Sequence, residues 1–262
     1  RPDFREAVAA AGTPEGVAYA VPVLAYHGVT NHPREFDLTR EQFVDQMQAL
    51  KADGWQTITL AQFESFMKGE IQVPEKSFLL TFDDGRKESY YPVDPVLNAL
   101  GFSAVMFTIS AHSIDVRESA YYLTGSEIMQ LARTGRWEIQ AHSHEGHVAI
   151  PIGSDGKEGS YYGHRRWIKE ESKLETDEEY VARVTTDLTT VKQKLDTFLD
   201  QDTTAFALPF GDYGQENMNT HEIKDLLGGA LKQTYDYVFY QVRNGEFSAN
   251  YPNPELMLVR RI

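Results

Sequence analysis

Two short stretches hold the residues best suited to chemistry. Asp83 and Asp84 stand side by side before Gly85, and three imidazoles crowd into Gln140-Ala-His142-Ser-His144-Glu-Gly-His147. Adjacent carboxylates in a dry pocket cannot both ionise easily, because like charges at close range push one pKa up. A cation resolves the conflict by taking one carboxylate as a ligand and leaving the other as a base. The plain alternative is an Asp-Gly turn in which one Asp caps the next helix. Neutral imidazole is a frequent metal ligand, and His142 and His147 are close enough in sequence for one loop to bring both to one ion. His144 points elsewhere if strand alternation continues. Here the plain alternative is a polar loop with solvated His. Together, two His and one Asp make a facial set with open positions, which suits a hydrolytic Zn²⁺ or a non-haem Fe(II) oxygenase site. Ligands in the order Asp, His, His on alternating strands and helices favour hydrolysis.

Composition narrows the field. There is no Cys, so thiolate metal sites, disulfides and a Cys nucleophile are excluded. A formal net charge of -14 argues against a nucleic-acid partner, which needs clustered Lys and Arg. No apolar run is long enough to span a membrane. The sequence begins at Arg1-Pro2, so an extracellular or cell-surface protein whose signal segment has been removed is expected. A monomer is expected.

The elements that must position these residues follow from pattern. Residues 1–20 read as an arm and 21–262 as one catalytic domain. Strands are predicted at 21–28, 55–60, 77–82, 103–109, 137–141, 203–208, 236–242 and 256–262. Helices are predicted from the Thr39/Gln42 capping box through Leu50, and at 60–69, 87–100, 124–134, 176–200 and 219–231. The alternation β then α implies a mostly parallel sheet with helices outside; pattern alone does not separate an open sheet from a closed barrel. In either, strand C-terminal ends share one rim. His27, Asp83-Asp84, Ser110 with His112, His142 and Pro209-Phe210-Gly211-Asp212 all follow predicted strands and should converge there. The segment 148–172 is long for a connection. Its Tyr161, Tyr162 and Trp167 could form an aromatic wall for a ligand, against the plainer reading of a lid packed on the sheet. Tyr213 could line the cleft, and His164 and His221 read as surface residues.

Thr81-Phe82-Asp83-Asp84-Gly85, His142-Ser143 with His147, and Leu208-Pro209-Phe210-Gly211 resemble three motifs of the polysaccharide deacetylases of the NodB-homology type, carbohydrate esterase family four. The second matches a variant with a longer gap between its two His. Tyr26-His27-Gly28 and Trp137-Glu-Ile-Gln140 are also similar to this family, and the helix starting near Glu175-Thr-Asp-Glu-Glu-Tyr180 resembles the poly-N-acetylglucosamine deacetylase branch. The resemblance implies an α/β fold, a distorted (β/α) barrel of about seven parallel strands with outer helices. It implies Asp84, His142 and His147 as ligands of one divalent metal, with Zn²⁺ the default and Co²⁺, Ni²⁺ or Fe²⁺ fitting the same set. It implies Asp83 as general base and a backbone N–H near Phe210 as an oxyanion donor. The substrate would be an N-acetylated polysaccharide, and the products acetate and free glucosamine units.

Two departures stand out. Much of the family has an Arg two residues before the Pro of the third motif, which orients the base; here that position is Ala207, and Arg86 is a substitute by proximity. The family also has a late His as general acid, whereas the final strand reads Leu258-Val-Arg-Arg-Ile262; His27 is the candidate acid. A degenerate glycan-binding relative and an O-deacetylase of another polysaccharide are the alternatives.

Overall fold

Strands buried on both faces read as unbroken apolar runs, and the centre of this sheet is made of such runs. The computed structural model describes residues 4–10, 16–215, 218–243, 245–255 and 258–262. The main strands are β1 (Val21–Tyr26), β2 (Ser77–Phe82), β3 (Ala104–Ile109), β4 (Trp137–Ser143), β5 (Ala205–Ala207), β6 (Tyr237–Gln241) and β7 (Leu258–Arg261). Each pairs in parallel with the next in chain order. The ring then closes: the Ile262 N–H donates to the Val23 carbonyl at 3.0 Å, and the Ala25 N–H donates to the Ile262 carbonyl at 2.7 Å. The fold is therefore a nearly closed (β/α) barrel with surrounding helices.

Alternate strand residues divide into two apolar layers. Val23, Leu79, Val105, Phe107, Ala207, Phe239 and Val259 form one cluster inside the ring. Phe78, Leu80, Phe82, Met106, Ile139, Phe206 and Val238 join a second cluster beneath the helices. The helices are α1 (Arg40–Ala52), α2 (Leu60–Met67), α3 (Asp94–Leu100), α4 (Gly125–Arg133), α5 (Asp177–Leu199) and α6 (Ile223–Lys232). The Thr39/Gln42, Thr59/Gln62 and Thr176/Glu179 pairs form reciprocal capping boxes that satisfy orphan N–H groups at three helix starts. Helix α2 closes the bottom of the ring. Its Phe63 and Phe66 join the inner cluster, its Leu60 N–H donates to Glu138, and its Glu64 accepts from Thr204 and Tyr237, all near strand beginnings.

Three expectations are revised. The strand from Trp137 continues to Ser143, so His142 lies within β4. The β3–β4 register jumps from Thr108↔Ala141 to Ile109↔Ser143, which makes His142 the extra residue of a bulge; bulges re-aim side chains beside sites. The helix predicted over 87–100 splits into a 3₁₀ turn, Lys87–Ser89, and α3, because Pro92 and Pro95 lack the N–H that continuity requires. The segment 148–172 holds one hairpin pairing, Ala149–Pro151 with Glu158–Ser160, and the first strand of a second, Trp167–Ile168, which pairs with Lys173–Leu174 just beyond it. Within the arm, residues 1–3 and 11–15 lie outside the described residues. A short helix, Arg5–Ala10, packs on α1, and Gly16 and Ala18 bond to Glu75 and Val73. Positions 256–257 of the last predicted strand also lie outside the described residues.

Candidate active site

Strand β2 delivers both aspartates, and the backbone sends them apart. The Asp83 N–H still bonds to the Tyr26 carbonyl at 3.0 Å, continuing the ladder. Asp84 then turns into the left-handed region at φ 73, which Asp tolerates better than most residues, and Gly85 follows at φ 70. Asp83 stays inside the ring and Asp84 faces His142 and His147.

The three donors meet at one point. Asp84 Oδ1 lies 3.4 Å from His142 Nε2 and 3.4 Å from His147 Nε2, and the three donor atoms lie within 4.8 Å of one another. The His142 Nδ1–H donates to the Ala207 carbonyl at 2.8 Å; a carbonyl can only accept, so Nδ1 carries a proton and Nε2 is the nitrogen turned to Asp84. Asp84 Oδ1 is buried and has no hydrogen-bond donor. Burial raises the Asp84 pKa, yet the imidazoles of His142 and His147 hold it well below the carboxylate range. His147 is held down to about 4, first by burial and then by His142. Burial alone would lower His142, but the Asp83 and Asp84 carboxylates raise it, so this cage attracts a positive charge. An ionised oxygen and two lone-pair nitrogens around a buried orphan acceptor fit a divalent cation.

Asp83 is gripped from β7, which lies two strands away across the seam. Arg261 Nη1 donates to Oδ1 at 2.6 Å and Nη2 donates to Oδ2 at 2.8 Å, with the arginine fully buried. Burial raises the Asp83 pKa, but the Arg261 and His142 charges bring it below the usual value. Arg261 thus stands in for the arginine absent at Ala207. The expectation for Arg86 is corrected: its guanidinium bonds Asp37 and Glu88 and does not reach Asp83. Arg261 is visible in sequence as a charge two residues after inward-facing Val259, a position that demands a carboxylate partner.

His27 Nε2 lies 3.9 Å from Asp83 Oδ2. Its carbonyl accepts from Ser89 Oγ at 2.6 Å, and the Gly28 N–H donates to Asp37 Oδ1 at 3.1 Å. Glycine is required at position 28, since a Cβ would stand 2.5 Å from Asp37 Oδ1 and 2.6 Å from Arg86 Nη2. Phe210 sits at φ 60 in the Pro209–Gly211 turn, 46% exposed, its ring 4.7 Å from the His147 ring. A cleft of about 370 Å³ opens here, lined by His27, Asp84, His147, Phe210, Arg34 and Phe36 among others.

The other predicted residues fall elsewhere. Tyr162 is fully buried, with its hydroxyl donating to Asp187, so it has no face for a sugar. Trp167 is half-buried in its hairpin and Tyr213 packs edge-on against Tyr240; neither lines the cleft. His144 pairs with Ser110 Oγ at 2.9 Å, away from the donor set. His164, expected at the surface, is buried near Ser160, while His221 is exposed. Asp187 and Asp37 escaped sequence reasoning because nothing local in α5 or in the 30–38 loop marks them.

Comparison with known proteins follows the same lines. The polysaccharide deacetylase family model matches residues 70–226. Escherichia coli (strain K12) poly-beta-1,6-N-acetyl-D-glucosamine N-deacetylase is 26% identical over 184 residues, 66% of this chain; the match spans about a quarter, 27%, of that protein's length. A de-N-acetylase from Aggregatibacter actinomycetemcomitans has a similar fold, with TM-score 0.77 and 19% identity over 93% of this chain and 94% of that one. The deacetylase domain of BpsB from Bordetella bronchiseptica gives TM-score 0.73 and 21% identity over 95% and 97%.

Proposed function

Because this chain belongs to the polysaccharide deacetylase family, we propose that it hydrolyses N-acetyl groups from a polymer of N-acetylglucosamine, releasing acetate. The observation that carries the reading is the donor set Asp84, His142 and His147 beside a second carboxylate, Asp83, held in a buried arginine fork. The name of the Escherichia coli relative supports the substrate class. Such a polymer implies an extracellular or cell-surface setting.

Asp84 Oδ1 and the Nε2 atoms of His142 and His147 would hold the divalent cation, Zn²⁺ by default. A cation there supplies Lewis-acid polarisation of the amide carbonyl and makes water more acidic. Asp83, ionised and fixed in plane by Arg261, takes a proton from the attacking water as general base. The Phe210 N–H, presented by the left-handed turn, donates to the oxygen that gains negative charge. His27, at the cleft wall, gives a proton to the departing amine nitrogen. Water and amide thereby become acetate and a glucosamine amine. Phe36, 68% exposed, and Phe210 offer apolar faces to a pyranose ring.

A non-catalytic relative was suggested by the missing Arg and the missing late His; the Arg261 fork answers the first, and the second rests on His27 as the acid. The test is acetate release from poly-N-acetylglucosamine by chelated protein before and after adding Zn²⁺ or Co²⁺. Metal-dependent release is expected. Binding of metal with no release from any N-acetylated glycan, but release from an O-acetylated one, would replace this reading with O-deacetylation.

A further inference from the structure

The stretch between His142 and His147 must reverse direction within a few residues while holding two imidazoles at one point. Its backbone is gripped by a residue far along the chain. The His144 N–H donates to Asp187 Oδ1 at 2.9 Å and the Glu145 N–H donates to Asp187 Oδ2 at 2.7 Å. The Tyr162 hydroxyl donates to Oδ1 as well. Asp187 lies in the buried stripe of α5 beside Val184 and Leu188, where the amphipathic pattern calls for an apolar residue. Among the described residues no Lys or Arg pairs with it. A carboxylate buried without a cation is costly unless its lone pairs are filled, and here two backbone N–H groups and a phenol fill them.

Tyr162 also closes the loop from the other side. A Cβ at Gly146 would come 2.7 Å from the Tyr162 hydroxyl and 2.9 Å from its ring carbons, so ring and loop touch. Tyr162 is itself tied down: its carbonyl accepts from the Tyr180 hydroxyl at 2.5 Å. On the far side, Ser110 Oγ holds the His144 ring. The loop is therefore clamped on three sides, each contact falling on residues 144–146 between the two imidazole donors.

We propose that Asp187, oriented by Tyr162, is a positioning residue that presets the 142–147 loop so that His142 and His147 meet a cation with little ordering left to do. The inference rests on the metal site argued above. An unclamped loop must be ordered when the ion binds, and that entropy is subtracted from affinity. Asp187→Asn keeps the size but replaces one of two acceptor oxygens with a donor, leaving one loop N–H facing it unpaired. Outer contacts of this kind typically carry roughly 10- to 100-fold in metal affinity.

The experiment measures Zn²⁺ and Co²⁺ dissociation constants by competition with a chromophoric chelator, on wild type, Asp187→Asn and Tyr162→Phe. Far-UV circular dichroism of the metal-free proteins reports whether each is folded. The expected result is a folded Asp187→Asn with roughly 10- to 100-fold weaker metal binding and a smaller loss in Tyr162→Phe. Acetate release by Asp187→Asn should fall at equimolar metal and recover in excess metal, which a merely structural role would not produce. Wild-type metal affinity in folded Asp187→Asn overturns the proposal. If Asp187→Asn does not fold, Tyr162→Phe decides, and unchanged affinity there overturns it. A wild type that binds the ion but releases no acetate sinks the deacetylase reading and leaves this one standing. A wild type that binds neither ion sinks both.

Discussion

Two buried arginine–carboxylate pairs flank the cleft, and they do different work. Arg261–Asp83 joins β7 to the end of β2 across the inside of the ring, with bonds of 2.6 and 2.8 Å. Arg86–Asp37 lies at the lip, with bonds of 2.7 and 3.3 Å, and its arginine has Glu88 as a second partner. Among the described residues no other arginine pairs with Asp83. Asp37 instead spends its remaining capacity on backbone, accepting from Gly28 and Arg34 N–H groups. The inner pair fixes the carboxylate proposed above as the base; the outer pair frames the loops that carry His27 and Phe36. The same fork geometry thus serves alignment in one place and scaffolding in the other.

The comparison can be broken most directly at Arg261. Arg261→Met leaves a buried carboxylate uncompensated, and unfolding measurements should show a loss of about 3–5 kcal/mol together with loss of acetate release. Arg261→Lys should restore part of the stability but little activity, since an ammonium lacks the fork. His27→Gln should act on chemistry alone, lowering kcat by about 10²- to 10⁴-fold with the melting temperature unchanged. A parallel fall in stability would mean that His27 is structural. Asp37→Asn should cost less than Arg261→Met, about 1–3 kcal/mol, because Glu88 still faces Arg86. Its kinetic signature should be a raised KM from a loosened lip rather than a collapsed kcat. Equal effects of the two pairs on kcat would erase the distinction drawn above.

Acid sharpens the same contrast more gently. Burial raises both aspartates, but their arginines bring the folded pKa of each below the ordinary value. Groups depressed in this way stabilise the fold above the unfolded aspartate pKa of about 3.9, and that stability is lost as pH falls through the lower folded pKa. Acid unfolding of wild type should therefore begin below about pH 4. In Arg261→Met, burial of the unpaired Asp83 carboxylate raises its folded pKa, so the stability deficit relative to wild type should shrink as pH falls and Asp83 takes up a proton.

Much of this arrangement is legible in sequence, and the rest is hidden for physical reasons. Apolar runs such as Ser77–Phe82 announce buried strands, and the polar residues after them mark one rim; that logic brings Asp84, His142 and His147 together. It marks Arg261 as an inward charge but cannot pair it with Asp83, because that partner lies on a strand from the first third of the chain and only ring closure makes them neighbours. Arg86 misleads for the converse reason: closeness in sequence to Asp83 says nothing once Asp84 and Gly85 turn the backbone through two left-handed residues. Tyr162 misleads because an aromatic in an irregular segment shows no periodicity, so its inward direction is set by packing against Gly146 and Phe206. Asp187 is silent because one polar residue in a helical stripe resembles any breach of pattern until its hydrogen bonds are seen.

The seam where Ile262 bonds to β1 has a consequence for the order of events during synthesis. The donors Asp84, His142 and His147 have all left the ribosome well before β7, whereas Arg261 arrives with the last strand of the ring. The Arg261–Asp83 pairing spans most of the sequence, among the slowest kinds of contact to form. Alignment of Asp83 must therefore wait for the ring to close, however early its neighbours along β2 fold.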